Sequence, residues 1–227
     1  MIHSIILARG GSKGIKNKNL KLIKNKPLIY WSIKASLKSK KINKTWVSSD
    51  SDKILKFSKK CGASTIKRPK LLSNDFASSE SAWLHAVKSI EKNYKIKTVV
   101  GIQPTSPIKT HKDYDQALKL YIEKKYDSLF SSMIIKDYCV WEYKNKLVSL
   151  YNHFNRKRRQ DIKKKYLENG SFYIFDKNKF LKSKNRLFGK IGTFTQSKTK
   201  SIQIDNLEDI FIVNALLNNK KIKPYNK

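Results

Sequence analysis

Seven residues near the N-terminus, ARGGSKG from Ala8 to Gly14, join three glycines to an arginine, a serine and a lysine. Gly10, Gly11 and Gly14 let a backbone bend sharply and bring N–H groups toward anionic oxygens. Arg9 and Lys13 would neutralise charge there, and Ser12 can donate a hydrogen bond. Lys16, Asn17, Lys18 and Asn19 carry the basic and amide character onward. The spacing is not that of a Walker A loop, and the GxGxxG of dinucleotide folds is absent. A glycine turn alone would be a surface bend, but two cations inside one that follows a strand point to a triphosphate.

Such a loop acts only if a strand delivers it to the rim of a sheet, where α/β proteins bind ligands. Ser4–Leu7, Thr45–Val47, Thr98–Ile102, Leu129–Met133 and Ser171–Phe175 read as strands, apolar enough to be covered on both faces. Helical patterns fall between them: Pro27–Leu37, Asp52–Lys60, Glu80–Ile90, a stripe of Tyr114, Leu118, Tyr121 and Ile122, and a last helix near Leu207–Leu217. Ser201–Ile204 is expected to resume the core. Alternating strands and helices predict an α/β fold, a three-layer αβα sandwich around a Rossmann-like, mostly parallel sheet. Residues 1–227 are expected to form a single domain, with 137–168 as an insertion where the periodicity breaks into a Tyr/Trp-rich piece and a basic run, NRKRRQDIKKKY.

With 227 residues, 39% of them hydrophobic, the chain can bury a sizeable core, which excludes wholesale disorder. Fifty Lys and Arg against 17 Asp and Glu give a net charge of +33. The excess is almost all lysine, scattered among Asn and Ile, which fits compositional drift better than a surface selected to bind polyanions. A nucleoside triphosphate would tolerate it. The two cysteines, Cys61 and Cys139, lack metal or redox spacing, and His3, His85, His111 and His153 show neither metal spacing nor a triad. The N-terminal apolar run is too short for a signal peptide and no stretch approaches the length of a membrane span, so a cytoplasmic location without membrane contact is expected.

The landmarks taken together resemble the acylneuraminate cytidylyltransferases, the CMP-sialic acid synthetases. The match runs through ARGGSKG with KNKNLK, VSSDSDKI (Val47–Ile54), KRP (Lys67–Pro69), SESAWLHAV, QPTSP (Gln103–Pro107), RRQD (Arg158–Asp161), ENGSFYIF (Glu168–Phe175) and SIQIDNLEDI (Ser201–Ile210), in family order over essentially the whole chain. The resemblance implies a nucleotide-diphospho-sugar transferase type of fold with 137–168 as a dimerisation arm. It also implies CTP and a nonulosonic acid as substrates, Mg²⁺ as cofactor, and a homodimer without specific nucleic-acid partners.

Residue by residue, the same resemblance gives Arg9 and Lys13 the triphosphate and its developing charge. Ala8, Gly10, Gly11 and Ser12 would line the nucleotide, and Asn19 and Arg68 would read cytosine and ribose. Gln103 and Ser106 would contact the sugar. Arg158 and Arg159 would reach from the arm to the sugar carboxylate of a neighbouring subunit. Asp205 would hold the metal, with Asp209 as a second acid whose simpler role is to favour the N-terminus of its own helix. Where the family often shows a DID pair this chain reads QID, with Gln203 in the first acid's place. The implied reaction is attack of an anomeric hydroxyl on the α-phosphorus of CTP, with pyrophosphate leaving. Two alternatives stand beside it: the same chemistry on Kdo, legionaminic or pseudaminic acid, and a basic nucleic-acid-binding protein centred on NRKRRQDIKKKY, for which no RNP, KH or helix-turn-helix signature is present.

Overall fold

The strands form where β-branched and apolar residues run together, and helices form where apolar residues recur on one face. The computed structural model describes residues 1–12, 14–135 and 139–219. In chain order these give β1 (Ile2–Leu7), a short ribbon of β2 (Leu22–Ile23) and β3 (Lys26–Pro27), α1 (Leu28–Leu37), β4 (Lys44–Ser49), α2 (Asp52–Lys60) and β5 (Ser64–Lys67). Next come α3 (Ser79–Glu91), β6 (Thr98–Ile102), α4 (His111–Glu123) and β7 (Ser128–Ile135). A hairpin of β8 (Trp141–Tyr143) and β9 (Leu147–Ser149) precedes β10 (Lys165–Asp176), α5 (Lys177–Ser183), β11 (Ile191–Thr195) and α6 (Leu207–Asn218).

Seven strands make one sheet in the order β11-β7-β10-β6-β1-β4-β5. All pair in parallel except β10, which runs antiparallel to both β6 and β7. Helices cover both faces. On one, Ile29 and Ile33 of α1 and Tyr114, Ala117 and Leu118 of α4 pack with Ile6, Val47 and Val100. On the other, Trp83, Val87 and Ile90 of α3 and Phe180 of α5 meet Ile5, Val99 and Phe175. This is the expected three-layer αβα sandwich around a mostly parallel sheet. A third apolar cluster, with Ile15, Leu28, Trp31, Ile108, Ile204 and Val213, docks α6 against the N-terminal loop region.

Close packing shows at Gly101 in the middle of β6, where a Cβ would lie 2.7 Å from the Trp83 indole. The indole Nε1 donates to the Ile5 carbonyl at 3.3 Å, so α3 is keyed to the sheet by shape and by one polar bond. Two expectations need correction. Ile122 is 55% exposed, because it lies about 100° around the helix from the buried Tyr121. Ser201–Ile204 forms no strand: a 3₁₀ turn ends at Ser201, and Ile204 N–H donates to the Thr105 carbonyl at 2.8 Å across a loop.

Candidate active site

The chain leaves β1 for β4 and β5 on one side and returns to β6 on the other. That reversal opens a crevice at the carboxyl ends of the strands, where α/β sheets bind ligands. A cleft of about 420 Å³ lies there, lined by Arg9, Ser12, Gly14, Lys18 and Asn19 after β1, by Arg68 after β5, by Gln103 after β6, and by Asp205.

The glycine loop divides its labour. A Cβ on Gly14 would lie 2.7 Å from the Asp205 carbonyl oxygen, so glycine is required by close approach of two backbones. Gly11 faces open space. Gly10 N–H is taken by Asp50 Oδ1 at 2.8 Å, and buried Ala8 extends the β1–β4 ladder through its N–H to the Ser48 carbonyl. Ala8 and Gly10 therefore shape the loop instead of offering donors to a phosphate. Lys13 lies outside the described residues.

Among the described residues three cations line the cleft. Arg9 reaches across it, with one guanidinium nitrogen 2.8 Å from Asp75 Oδ1 and 3.2 Å from the Asn74 carbonyl. Lys18 Nζ lies 3.0 Å from both Asp205 Oδ1 and the Ile204 carbonyl, so the KNKN stretch and the QID segment face each other. Arg68 is 4% exposed, its Nε donating to Ser73 Oγ at 2.9 Å. Burial lowers its pKa from the ordinary arginine value, while nearby Asp50 acts in the opposite sense. Asn19 Nδ2 donates to the Arg9 carbonyl at 3.0 Å, which fixes the loop from within. The sequence alone assigns no role to Asp75, which nothing in the spacing marks, and to Lys18 only a place in a basic stretch beside Asn19.

Opposite the loop, the QPTSP turn is built from distant segments. Gly170, at φ +62°, sits on the β10 bulge where a Cβ would come within 3.0 Å of Gln103 Oε1 and 3.2 Å of Gln203 Oε1. Thr105 Oγ1 donates to Gln203 Oε1 at 3.3 Å, so Gln203 braces the turn. Asn169 is a buried hub, accepting from Ser131 Oγ at 2.6 Å and donating to Gln196 Oε1 at 3.0 Å. Ser106 is fully buried and its hydroxyl has no solvent-accessible surface, so it is not placed to touch a sugar in the cleft. Arg158 is exposed on the arm and paired with Asp161 at 3.0 Å, away from this chain's cleft. The side chain of Arg159 lies outside the described residues.

The two acids proposed for a metal differ. Asp209 Oδ2 accepts the N–H groups of Asp205 and Asn206 at 2.8 and 2.9 Å, completing the capping box of α6. The carboxylate thus takes the simpler of the two roles expected for it, at a helix N-terminus, and does not line the cleft. Asp205 does line it, with its side chain 66% exposed. Among the described residues no group of three or more His, Cys, Asp and Glu could cage an ion. One accessible carboxylate fits a Mg²⁺ that takes its other oxygens from phosphates and water.

A family model described as Cytidylyltransferase matches residues 3–222. N-acylneuraminate cytidylyltransferase A of Danio rerio is 34% identical over 216 residues, 90% of this chain and 48% of that one. The chain spans about half the length of such relatives. Post-translational flagellin modification protein B of Campylobacter coli is 29% identical and aligns over 96% of this chain and 95% of its own. The solved structure of CMP:2-keto-3-deoxy-manno-octonic acid synthetase complexed with CTP superposes with a TM-score of 0.71 at 16% identity, over 95% of this chain and 98% of that one, a likeness of fold. The chain belongs to the cytidylyltransferase family.

Proposed function

We propose that this protein transfers CMP from CTP to the anomeric hydroxyl of a sialic-acid-like nonulosonic acid. The observation that carries this reading is the cleft at the switch point, with Arg9 and Lys18 on its loop side, Asp205 at its edge and Gln103 opposite. The relatives named for N-acylneuraminate support the sugar class.

In this reaction the hydroxyl oxygen forms a bond to the α-phosphorus, the bond from that phosphorus to the bridging oxygen breaks, and pyrophosphate carries off the electron pair. The hydroxyl proton passes to solvent. Arg9 and Lys18 hold the triphosphate oxygens and lower the cost of charge gathering on the leaving group, the electrostatic contribution that dominates such transfers. Lys13, by its place in the loop, joins them. Arg68 and Asn19 define the nucleoside end, and Gln103 orients the sugar. Asp205 would hold Mg²⁺, which when bound neutralises phosphate charge.

The arm supports a homodimer: Tyr143, Leu147, Leu150 and Phe154 on and after the hairpin are exposed apolar side chains. From a partner copy, Arg158 and Arg159 would meet the sugar carboxylate. A cytoplasmic location is part of this reading. The flagellin-modification relative, aligned almost end to end, favours one purpose for the product: the CMP-sugar would feed modification of a protein.

Pyrophosphate release from CTP and Mg²⁺ is the test, with N-acetylneuraminic, legionaminic, pseudaminic and Kdo acids as acceptors. Release with one or more nine-carbon acids is expected. Release with Kdo alone would overturn the sugar class, and no release with any acceptor would overturn the activity.

A further inference from the structure

Behind the Gln103 turn stands a lysine that the reaction as described does not use. Lys109 is fully buried, and its Nζ donates to the Gln103 carbonyl at 2.6 Å. Lysine is almost never fully buried without a partner that needs it. Burial brings the amine from 10.5 down to about 7, while Asp113 acts in the opposite sense. Asp113, itself 5% exposed, accepts from Thr110 N–H and receives Lys200 Nζ at 2.7 and 2.9 Å. The cluster thus ties the turn after β6 to the start of α4 and to the segment that leads to Gln203 and Asp205.

The turn needs such an anchor for a chemical reason. Residues 104 and 107 are prolines, which carry no N–H, so the chain there has few donors of its own. Gln103 N–H reaches the Ser171 carbonyl only at 3.3 Å. Its carbonyl is held at 2.6 Å, by Lys109. Charged and neutral amine both donate, so the grip persists through the lysine's titration.

We propose that Lys109 is a positioning residue for the sugar acid: its Nζ fixes the Gln103 carbonyl from the buried side and so aims the Gln103 side chain into the cleft. This rests on the sugar-acid reading of that half of the cleft. It concerns specificity for the acceptor, not handling of CTP.

The test compares Lys109→Met and Lys109→Arg with the unaltered chain, using whichever nonulosonic acid it accepts. Loss of this buried bond, which leaves the Gln103 carbonyl without its donor, predicts a rise of about tenfold in the sugar KM for Lys109→Met, with the CTP KM within about twofold. Amide hydrogen exchange at residues 101–106 should quicken in the same variant, and Lys109→Arg, which keeps a donor, should recover both. If Lys109→Met does not fold, Lys109→Leu, which also removes the donor, carries the same comparison. An unchanged sugar KM, or sugar and CTP KM rising together, would overturn the proposal. If the unaltered chain releases no pyrophosphate with any sugar acid, the functional reading falls. Hydrogen exchange then decides separately whether Lys109 holds the turn, unchanged exchange overturning it.

Discussion

The proposed reaction divides the cleft into a nucleotide half and a sugar half, and the two are built in opposite ways. The nucleotide half is mostly local: residues 8–19 supply its bend, and Arg9 and Lys18 keep their charged ends at the surface of the cleft, each occupied by an exposed carboxylate. The sugar half is assembled from the β6 turn, the β10 bulge, the start of α4 and the segment before α6, with Lys109, Asp113 and Asn169 buried behind it. A triphosphate is met by charge that tolerates imprecise aim. A sugar acid must be met by shape, which calls for a rigid backing.

The largest expected effect falls on the nucleotide half. Arg9→Ala should lower pyrophosphate release by about 10² to 10³, the usual cost of removing one donor to developing charge. Steady-state kinetics at saturating sugar would show it, and a loss confined to the sugar KM would erase the division between the halves. A smaller effect sharpens it. Arg9 and Asp75 form a partly exposed pair, worth about 1 kcal/mol at most, so Asp75→Asn should lower the CTP KM by up to about fivefold by removing a competitor for the guanidinium. A rise in CTP KM would mean that Asp75 helps to form the site. The smallest effect is on turnover in Asp209→Ala. It should lose about 1 kcal/mol of stability in thermal unfolding through the α6 cap, yet stay within about twofold of full activity. Loss of metal-dependent turnover with an unchanged melting temperature would restore that acid to the metal site.

The same contrast explains what the sequence disclosed. The glycine loop was legible because a turn, its charges and the strand before it are neighbours in the chain. The αβα layering was legible because long apolar periodicities set it, α2 down to its bounds at Asp52 and Lys60. Short β5, rich in polar residues, and β11 near the C-terminus gave no clear period, and nothing in a hydrophobic run reveals that β10 is antiparallel. Lys18 and Asp205 are 187 residues apart, and Arg9 and Asp75 are 66 apart, so their meeting depends on the finished fold. Of the two acids near the C-terminus, Asp209 takes the simpler role that its place on a helix suggests. An acid at the third position of a helix caps its own N-terminus before it is free to bind an ion.

The central claim is that the bend after β1 seats the phosphates of CTP. A crystal structure with CTP bound tests it most directly. Triphosphate oxygens should lie within hydrogen-bond reach of Arg9 and Lys18, with the Arg9 guanidinium released from Asp75. Nucleotide bound elsewhere, with the Arg9–Asp75 pair still closed, would contradict it.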